Sequence, residues 1–178
     1  MADGDHDDTQ LAVLTVLPPD TTDDNERRIQ GITTDRFRLL EYTHSVDTTV
    51  SPGDRVAVTT ADPEATPRQL TYESLSQDAQ DRLEPTIESI IIQHEQRFID
   101  YYNNAQPISL RRHQLDLLPT IGEGRRETIM RERERRPFED FTDLETRVDG
   151  LTNPHAILAE RILTELRGDN VKYALFVD

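Results

Sequence analysis

Residues 115–129 read LDLLPTIGEGRRETI, and the fold predicted for the second half of the chain follows from these residues. Three leucines in residues 115–118 are followed by Pro119-Thr120-Ile121-Gly122, which predicts a tight turn. Gly124 to Arg136 then predicts a charged helix. Glycine allows the chain to turn and lets another molecule approach the backbone. The first N–H groups of a helix lack partners within it and suit a phosphate.

The order of an apolar helix, a glycine-containing turn and a second helix resembles the helix-hairpin-helix motif. The resemblance implies contacts from backbone N–H groups to the phosphates of RNA or DNA, without sequence readout. Thr120 stands where the motif has its first glycine, and it is strained if the turn needs a positive φ there. The nucleic-acid contacts implied by the motif are Thr120, Ile121, Gly122, Gly124, Arg125 and Arg126.

The likeness extends beyond this motif. Residues 136–148 are similar to the helix that packs behind such hairpins. Further matching phrases lie, in order, at residues 37–41, 53–56, 71–75, 95–98, 104–108, 115–119 and 172–177. On these residues the chain resembles the archaeal family catalogued as domain of unknown function 655. The resemblance implies an OB-like β domain joined to a helix-hairpin-helix region, with RNA as the ligand.

The net charge of the chain is −15, from 35 Asp and Glu against 20 Lys and Arg. This balance argues against a generic nucleic-acid binder, which is usually basic. However, Lys172 is the single lysine, and Asp and Thr each occur 20 times, a composition that resembles extreme halophiles and predicts a haloarchaeal source. At multimolar salt the Debye length falls below about 3 Å. The acidity can therefore describe the solvent rather than the partner.

The charge is unevenly distributed along the chain. Residues 1–66 carry a net −9, whereas residues 105–148 contain nine acids and nine arginines. A neutral region in so acidic a protein is the counterpart of a basic patch and favours an anionic partner. The alternative is a solvated helix stabilised by the i,i+4 pairs Glu127–Arg131 and Glu132–Arg136. Both interpretations are open at this point.

Several functional classes are disfavoured by what the sequence lacks. Cysteine is absent, which excludes disulfides and thiolate metal sites and fits a cytoplasmic protein. No apolar run approaches the roughly 18 residues of a membrane span, and residues 1–10 lack the features of a signal peptide. The five histidines have no metal-ligand spacing, and no catalytic motif appears. We expect no metal, no cofactor and no enzymatic activity, apart from a nucleic-acid-processing activity that carries no recognisable motif.

The first third of the chain predicts a small sheet. Residues 1–10 form an acidic tail expected to be disordered. Short apolar or alternating runs then predict strands at residues 11–17, 28–32, 36–43 and 55–59. Together they predict an OB-like barrel or sheet over residues 11–66. Alternation in residues 36–43 places Arg36, Arg38 and Tyr42 on one face, which offers a second surface for nucleic acid or, alternatively, a core face with an arginine rim.

The remaining chain predicts helices. Residues 67–104 are linking helices, one starting at Ser74 or Ser76 and a longer one starting near Pro85. The apolar stripe of the longer helix comprises Ile87, Ile90, Ile91, His94, Phe98, Tyr101 and Tyr102, with His94 predicted to be packed. Residues 105–178 form the helix-hairpin-helix domain.

Within this domain four further features are predicted. Ser109 caps a helix ending at Leu118, in which His113 is either packed or in contact with phosphate. A capping box runs from Thr142 to Glu145. A last helix spans residues 154–167, between Asn153 and Gly168, and a closing strand lies at residues 171–177.

We therefore expect an α+β protein with an N-terminal OB-like sheet and a C-terminal helical domain. The predicted function is non-catalytic binding of RNA, with ribosomal RNA as a candidate and DNA left open. Contacts are expected from residues 119–126 to backbone phosphates. The alternative is a protein-interaction adaptor that docks through the helix of residues 86–102 or through the arginine-rich helix. No membrane partner is expected.

Overall fold

The computed structural model describes residues 9–19, 26–45, 49–58, 67–169 and 171–178. The fold is α+β, with an antiparallel sheet followed by five α-helices in the described ranges. The strands are β1 Thr9–Leu17, β2 Glu26–Thr33, β3 Leu39–Ser45, β4 Arg55–Val58, β5 Arg68–Gln69, β6 Pro107–Ser109 and β7 Arg112–His113. The helices are α1 Gln77–Gln93, α2 Glu95–Asn104, α3 Glu123–Arg135, α4 Phe141–Arg147 and α5 Pro154–Arg167.

The chain divides into two compact units. The first consists of Met1–Thr86 and Glu165–Asp178, and the second of Ile87–Thr164. The predicted domain limits, after residues 10, 66 and 104, stay a prediction. The predicted acidic tail lies outside the described residues up to position 8, and β1 begins at Thr9.

The sheet of the first unit has the strand order β4-β1-β2-β3-β5, with every pair antiparallel. Because β4 and β5 are edge strands, the described strands form an open sheet and not a closed barrel. A bulge lies between Val13 and Thr15, and it changes the register of β1 against β2. One face carries a core of Leu11, Val13, Ile29 and Val58, against which Val16, Leu40, Tyr42, Val50 and Val56 pack.

A buried polar side chain connects the sheet to the start of α1. Gln30 of β2 is 3 % exposed, and its side-chain oxygen accepts the backbone N–H of Ser76 at 2.9 Å. Its amide nitrogen donates to Glu41 on β3 at 3.2 Å. Ser76 in turn accepts the N–H of Ala79 through its hydroxyl, which makes Ser76, rather than Ser74, the N-cap of α1.

Helix α1 continues through Pro85, so the predicted helix start at that residue is wrong. A proline inside a helix costs about 3 kcal/mol, because a backbone hydrogen bond is lost and the ring crowds the preceding turn. Leu83 and Ile87, on either side of the proline, are completely buried. The free energy gained by burying these two side chains outweighs the cost of a proline inside the helix.

The helix break falls instead at His94, which separates α1 from α2. His94 has φ −113° and ψ 36° and is exposed, so its predicted packing within the apolar stripe is wrong. The stripe resumes on α2, where Phe98 and Tyr102 are buried. The break at residue 94 leaves His94 exposed, whereas the other residues of the stripe are buried or half-buried.

The predicted helix from Ser109 to Leu118 is also wrong. The segment forms the short hairpin β6–β7 and then a single 3₁₀ turn, Gln114–Leu117. Gln114 closes this hairpin, since its backbone N–H donates to the Gln106 carbonyl at 3.0 Å and its side-chain oxygen accepts the Gln106 N–H at 2.8 Å. The two hydrogen bonds between Gln114 and Gln106 therefore take the place of the backbone hydrogen bonds that a helix would form here.

Later helix boundaries agree in part with the predictions. Asp140, rather than Thr142, caps α4, because its carboxylate accepts the N–H of Asp143 at 2.7 Å. Helix α5 begins at Pro154 and is followed by Gly168 with φ +73°, as predicted.

The predicted closing strand at residues 171–177 is absent from the described chain. Instead, the buried carboxylate of Glu165 accepts the N–H groups of Leu175, Phe176 and Val177 at 2.8, 3.0 and 3.0 Å. These donors are therefore engaged by one side chain and not by a neighbouring strand.

Candidate functional site

The predicted hairpin lies in the second unit, between the 3₁₀ turn and α3. Ile121 is 6 % exposed and anchors the hairpin, and its N–H donates to the Leu118 carbonyl at 3.3 Å. Thr120 has φ +64°, so the turn needs the left-handed conformation at the position where the motif has glycine. A threonine in this region is strained by about 1–3 kcal/mol.

The N-terminus of α3 presents backbone donors. Gly122 is the N-cap residue and supplies no side-chain cap, and the first hydrogen bond of the helix runs from the Arg126 N–H to the Gly122 carbonyl at 2.9 Å. The N–H groups of Glu123, Gly124 and Arg125 therefore have no acceptor within the helix. The positive end of the helix dipole is located at the same place.

Both glycines of the hairpin are free of internal constraints. Neither Gly122 nor Gly124 has a positive φ, and a Cβ atom on either would meet nothing within 4 Å. Neither turn geometry nor packing within the described chain therefore requires glycine at these positions. Gly124 lies inside α3, where glycine is about 0.5–1 kcal/mol less favourable than alanine.

The two arginines that follow differ in their surroundings. Arg125 donates a hydrogen bond to the Thr120 carbonyl, and its guanidinium lies 3.1 Å from the place a Cβ of Gly150 would occupy. The hairpin thus fixes the Arg125 side chain, which has further N–H donors beyond this bond. Arg126 is held by Asp116, as both carboxylate oxygens lie within 3.0 Å of its Nη1.

Two other arginines of the neutral region hold backbone carbonyls within the fold. Arg133 donates to the Tyr102 and Ala105 carbonyls at the end of α2, both at 3.0 Å. Arg147 donates to the Glu132 and Arg136 carbonyls, at 2.6 and 2.7 Å. The two predicted i,i+4 pairs are not among the ion pairs of the described residues. Glu132 instead contacts Arg135 and Arg147 at 3.1 and 3.6 Å.

His113 is packed and only 5 % exposed. Its Nδ1 accepts the N–H of Leu115 at 3.1 Å and caps the 3₁₀ turn. Burial lowers the pKa of His113, the charges of Arg133 and Arg126 add to this effect, and Asp116 opposes it. The imidazole is therefore neutral near pH 7. Its Nε2 is buried and has no hydrogen-bond partner among the described residues.

A surface groove of about 640 Å³ lies between the β6–β7 hairpin and α3, beside the predicted contacts. Its lining residues include Ser109, Leu110, Arg111, Arg112, His113, Glu123, Arg126, Glu127 and Met130. The sequence pattern predicts a helix at residues 109–118 and therefore no groove. The adjacent arginines at positions 111 and 112 are the one local signal of this site.

The structure does not place the second predicted surface on one strand face. Arg36 lies in a turn and forms an ion pair with Asp178. Phe37 has φ +54°, so the alternation expected from residue 36 does not extend to Arg36. Arg38 pairs with Thr33 through its backbone and is half-buried, like Leu40 and Tyr42. Tyr42 packs against the sheet core.

The described residues contain no group of three or more His, Asp or Glu side chains placed to hold a metal ion. None of their helices is both long enough and apolar enough to cross a membrane.

Comparison with known proteins gives three matches. The family model described as "Protein of unknown function (DUF655)" matches residues 10–178. The "Uncharacterized protein MJ0038" of Methanocaldococcus jannaschii is 34 % identical over 172 residues, which cover 93 % of this chain and 77 % of that protein. The crystal structure of Af1531 from Archaeoglobus fulgidus superposes with a TM-score of 0.84 at 32 % identity, covering 96 % of this chain and 99 % of the other.

Proposed function

The chain belongs to this archaeal family of unknown function, and from that premise we propose that it is a non-catalytic RNA-binding protein. Residues 119–126 contact backbone phosphates without reading sequence. In this proposal residues 115–129 are a helix-hairpin-helix motif whose first helix is shortened to the 3₁₀ turn Gln114–Leu117. The open sheet β1–β5 is an OB-like domain without a closed barrel.

One observation carries the proposal: among the described residues, neither the backbone conformation nor packing requires glycine at position 124. It lies in the first turn of a helix with open space on the side where its Cβ would stand. A residue that weakens the helix without any internal reason is explained by the close approach of an external group. The unpaired N–H donors and the helix dipole at the same position make that group an anion.

The acidic charge of the chain accords with this proposal if the protein works at high salt. At such ionic strength distant acids repel a polyanion weakly, because screening acts within a few ångströms. Short-range hydrogen bonds from N–H groups and from Arg125 are screened far less. In this proposal the protein is cytoplasmic and haloarchaeal, and ribosomal RNA is one candidate ligand.

The experiment is a Gly124→Ala substitution tested against a fluorescent RNA duplex at constant salt. Alanine favours the helix, so thermal stability is unchanged or higher. The added Cβ blocks the approach of a phosphate, and the affinity falls by about tenfold.

Thr128→Ala is the matched control, one turn further along α3. It should leave the affinity unchanged. An RNA affinity that is equally unchanged in Gly124→Ala would exclude the hairpin as the binding site.

A pull-down from a high-salt lysate, with and without ribonuclease, separates RNA binding from the adaptor role. Loss of the co-purified proteins after RNA digestion supports the proposal. Recovery of the same proteins after complete digestion would instead favour a protein adaptor.

A further inference from the structure

The groove between the β6–β7 hairpin and α3 lies next to the proposed phosphate contacts. Glu123, in the first turn of α3, also lines the groove. An RNA strand that touches the N-terminus of α3 therefore passes the entrance to this groove. Its volume of about 640 Å³ lies within the range of small-molecule sites in proteins.

Arginines without a structural task line the groove, together with the acids Glu123 and Glu127. Arg111 and Arg112 are exposed, and no hydrogen bond or ion pair engages either guanidinium in the described residues. This differs from Arg126, Arg133 and Arg147, whose guanidinium groups are held by carboxylates and carbonyls. The two free guanidinium groups suit a phosphate, which accepts bidentate hydrogen bonds from arginine.

Apolar side chains form another part of the groove. Leu110, at the turn of the β6–β7 hairpin, is fully exposed at 106 %. Met130 of α3 also lines the groove and is half-buried. A flat apolar ligand placed against these two side chains removes their surface from water.

We infer that the groove binds a single unpaired nucleotide of the RNA, with its base against Leu110 and Met130 and its phosphate on Arg111 and Arg112. This inference rests on the proposed function, since the contacts at residues 119–126 place the RNA strand next to the groove. Unpaired bases are available to apolar and hydrogen-bonding side chains, whereas bases within an RNA duplex are not. The protein therefore prefers RNA that carries a bulged nucleotide.

The test compares two fluorescent RNAs at one salt concentration: a short duplex, and the same duplex with one unpaired nucleotide. The wild-type protein should bind the bulged RNA about tenfold more tightly. Leu110→Ala should abolish this preference while the affinity for the plain duplex stays unchanged. Ile92→Ala is the control, since Ile92 is also exposed, at 54 %, but does not line the groove.

Equal binding of both RNAs by the wild type would overturn the inference and leave the proposed function intact. Binding of neither RNA would overturn the proposed function, and the inference with it.

Discussion

Asp116 holds Arg126 through both carboxylate oxygens, with Nη1 of the arginine 3.0 Å from Oδ1 and 2.9 Å from Oδ2. The same carboxylate accepts the backbone N–H of His113 at 2.8 Å. Asp116 therefore joins β7 to the first turn of α3, across the turn at residues 119–122. Arg126 holds this turn in position, and Arg125 is the arginine better placed for a ligand.

This relationship predicts unequal costs for removing the two partners. Arg126→Ala should lower the free energy of unfolding by about 1 kcal/mol. Asp116→Ala should lower it by about 2 kcal/mol, because it also leaves the His113 N–H without its acceptor. Urea denaturation followed by far-UV circular dichroism measures both values. Equal costs would show that the bond to His113 contributes nothing.

Thr120→Gly should stabilise the protein. The substitution relieves strain of about 1–3 kcal/mol at φ +64°, and glycine adds about 0.5–1 kcal/mol of unfolded-state entropy. We expect the free energy of unfolding, measured by thermal or urea denaturation, to rise by about 1 kcal/mol. The control, Thr128→Gly, lies within α3 and should lower the free energy of unfolding by about 1 kcal/mol. A loss at both positions would contradict the strain argument.

Glu123→Pro should weaken RNA binding more than Glu123→Ala does. Proline is tolerated at the first helical position, and the preceding Gly122 has the extended conformation it needs, φ −91° and ψ −177°. Both substitutions remove the carboxylate, but only proline removes the backbone N–H. We expect about tenfold lower duplex affinity for proline than for alanine, measured by fluorescence anisotropy. Equal affinities would mean that this N–H does not contact the RNA.

Glu165→Ala should release the C-terminal segment. The buried carboxylate accepts three consecutive N–H groups, so its loss should cost about 3 kcal/mol. Hydrogen exchange at residues 175–177 should become much faster. Glu160→Ala, at an exposed position of the same helix, is the control and should change neither quantity. Protected amides in the Glu165 variant would show that other contacts hold this segment.

Asp143 should contribute to the pH dependence of stability. Burial raises the pKa of Asp143. The hydrogen bond from the Glu139 N–H, the hydrogen bond and charge of Arg147 and the charge of Arg136 lower it by more, so the pKa lies below the usual 3.8. Because the folded-state pKa is depressed, the contribution is present above about pH 4 and is lost as the pH falls through the folded value.

The measurement is urea denaturation of wild type and Asp143→Asn between pH 7 and pH 3. The variant should be less stable at pH 7, and the difference should shrink in the acid range. Asp149→Asn, at an exposed position, serves as the control. A difference that stays constant with pH would mean that the ionised carboxylate is not the stabilising form.

Local patterns in the sequence were sufficient for several features of the fold. The short strands, the α+β order, the start of α5 at Pro154 and its end before Gly168 all follow from side chains acting within a few residues. The turn at residue 120 and the packed state of His113 also agree with the structure. The phosphate contacts at residues 119–126 stay a prediction.

Other features depend on residues that are distant in the chain. Pro85 lies inside a helix because buried leucine and isoleucine on both sides outweigh its local cost. Residues 107–113 form a hairpin because Gln114 binds the backbone of Gln106. Residues 175–177 form no strand because Glu165 takes their N–H groups. Helix and strand propensities act over a few residues and do not predict these distant contacts.

The class of the fold, the family and the location of the proposed phosphate contacts are predictable from the sequence, because turn chemistry, apolar periodicity and charge act locally. Which arginines serve the fold, and which remain available for a ligand, depends on tertiary packing. Composition gives nine arginines in residues 105–148, but only packing shows that Arg126 is bound to a carboxylate while Arg111 and Arg112 line an open groove. The charge of a side chain is a property of the residue, whereas its availability depends on its neighbours in space.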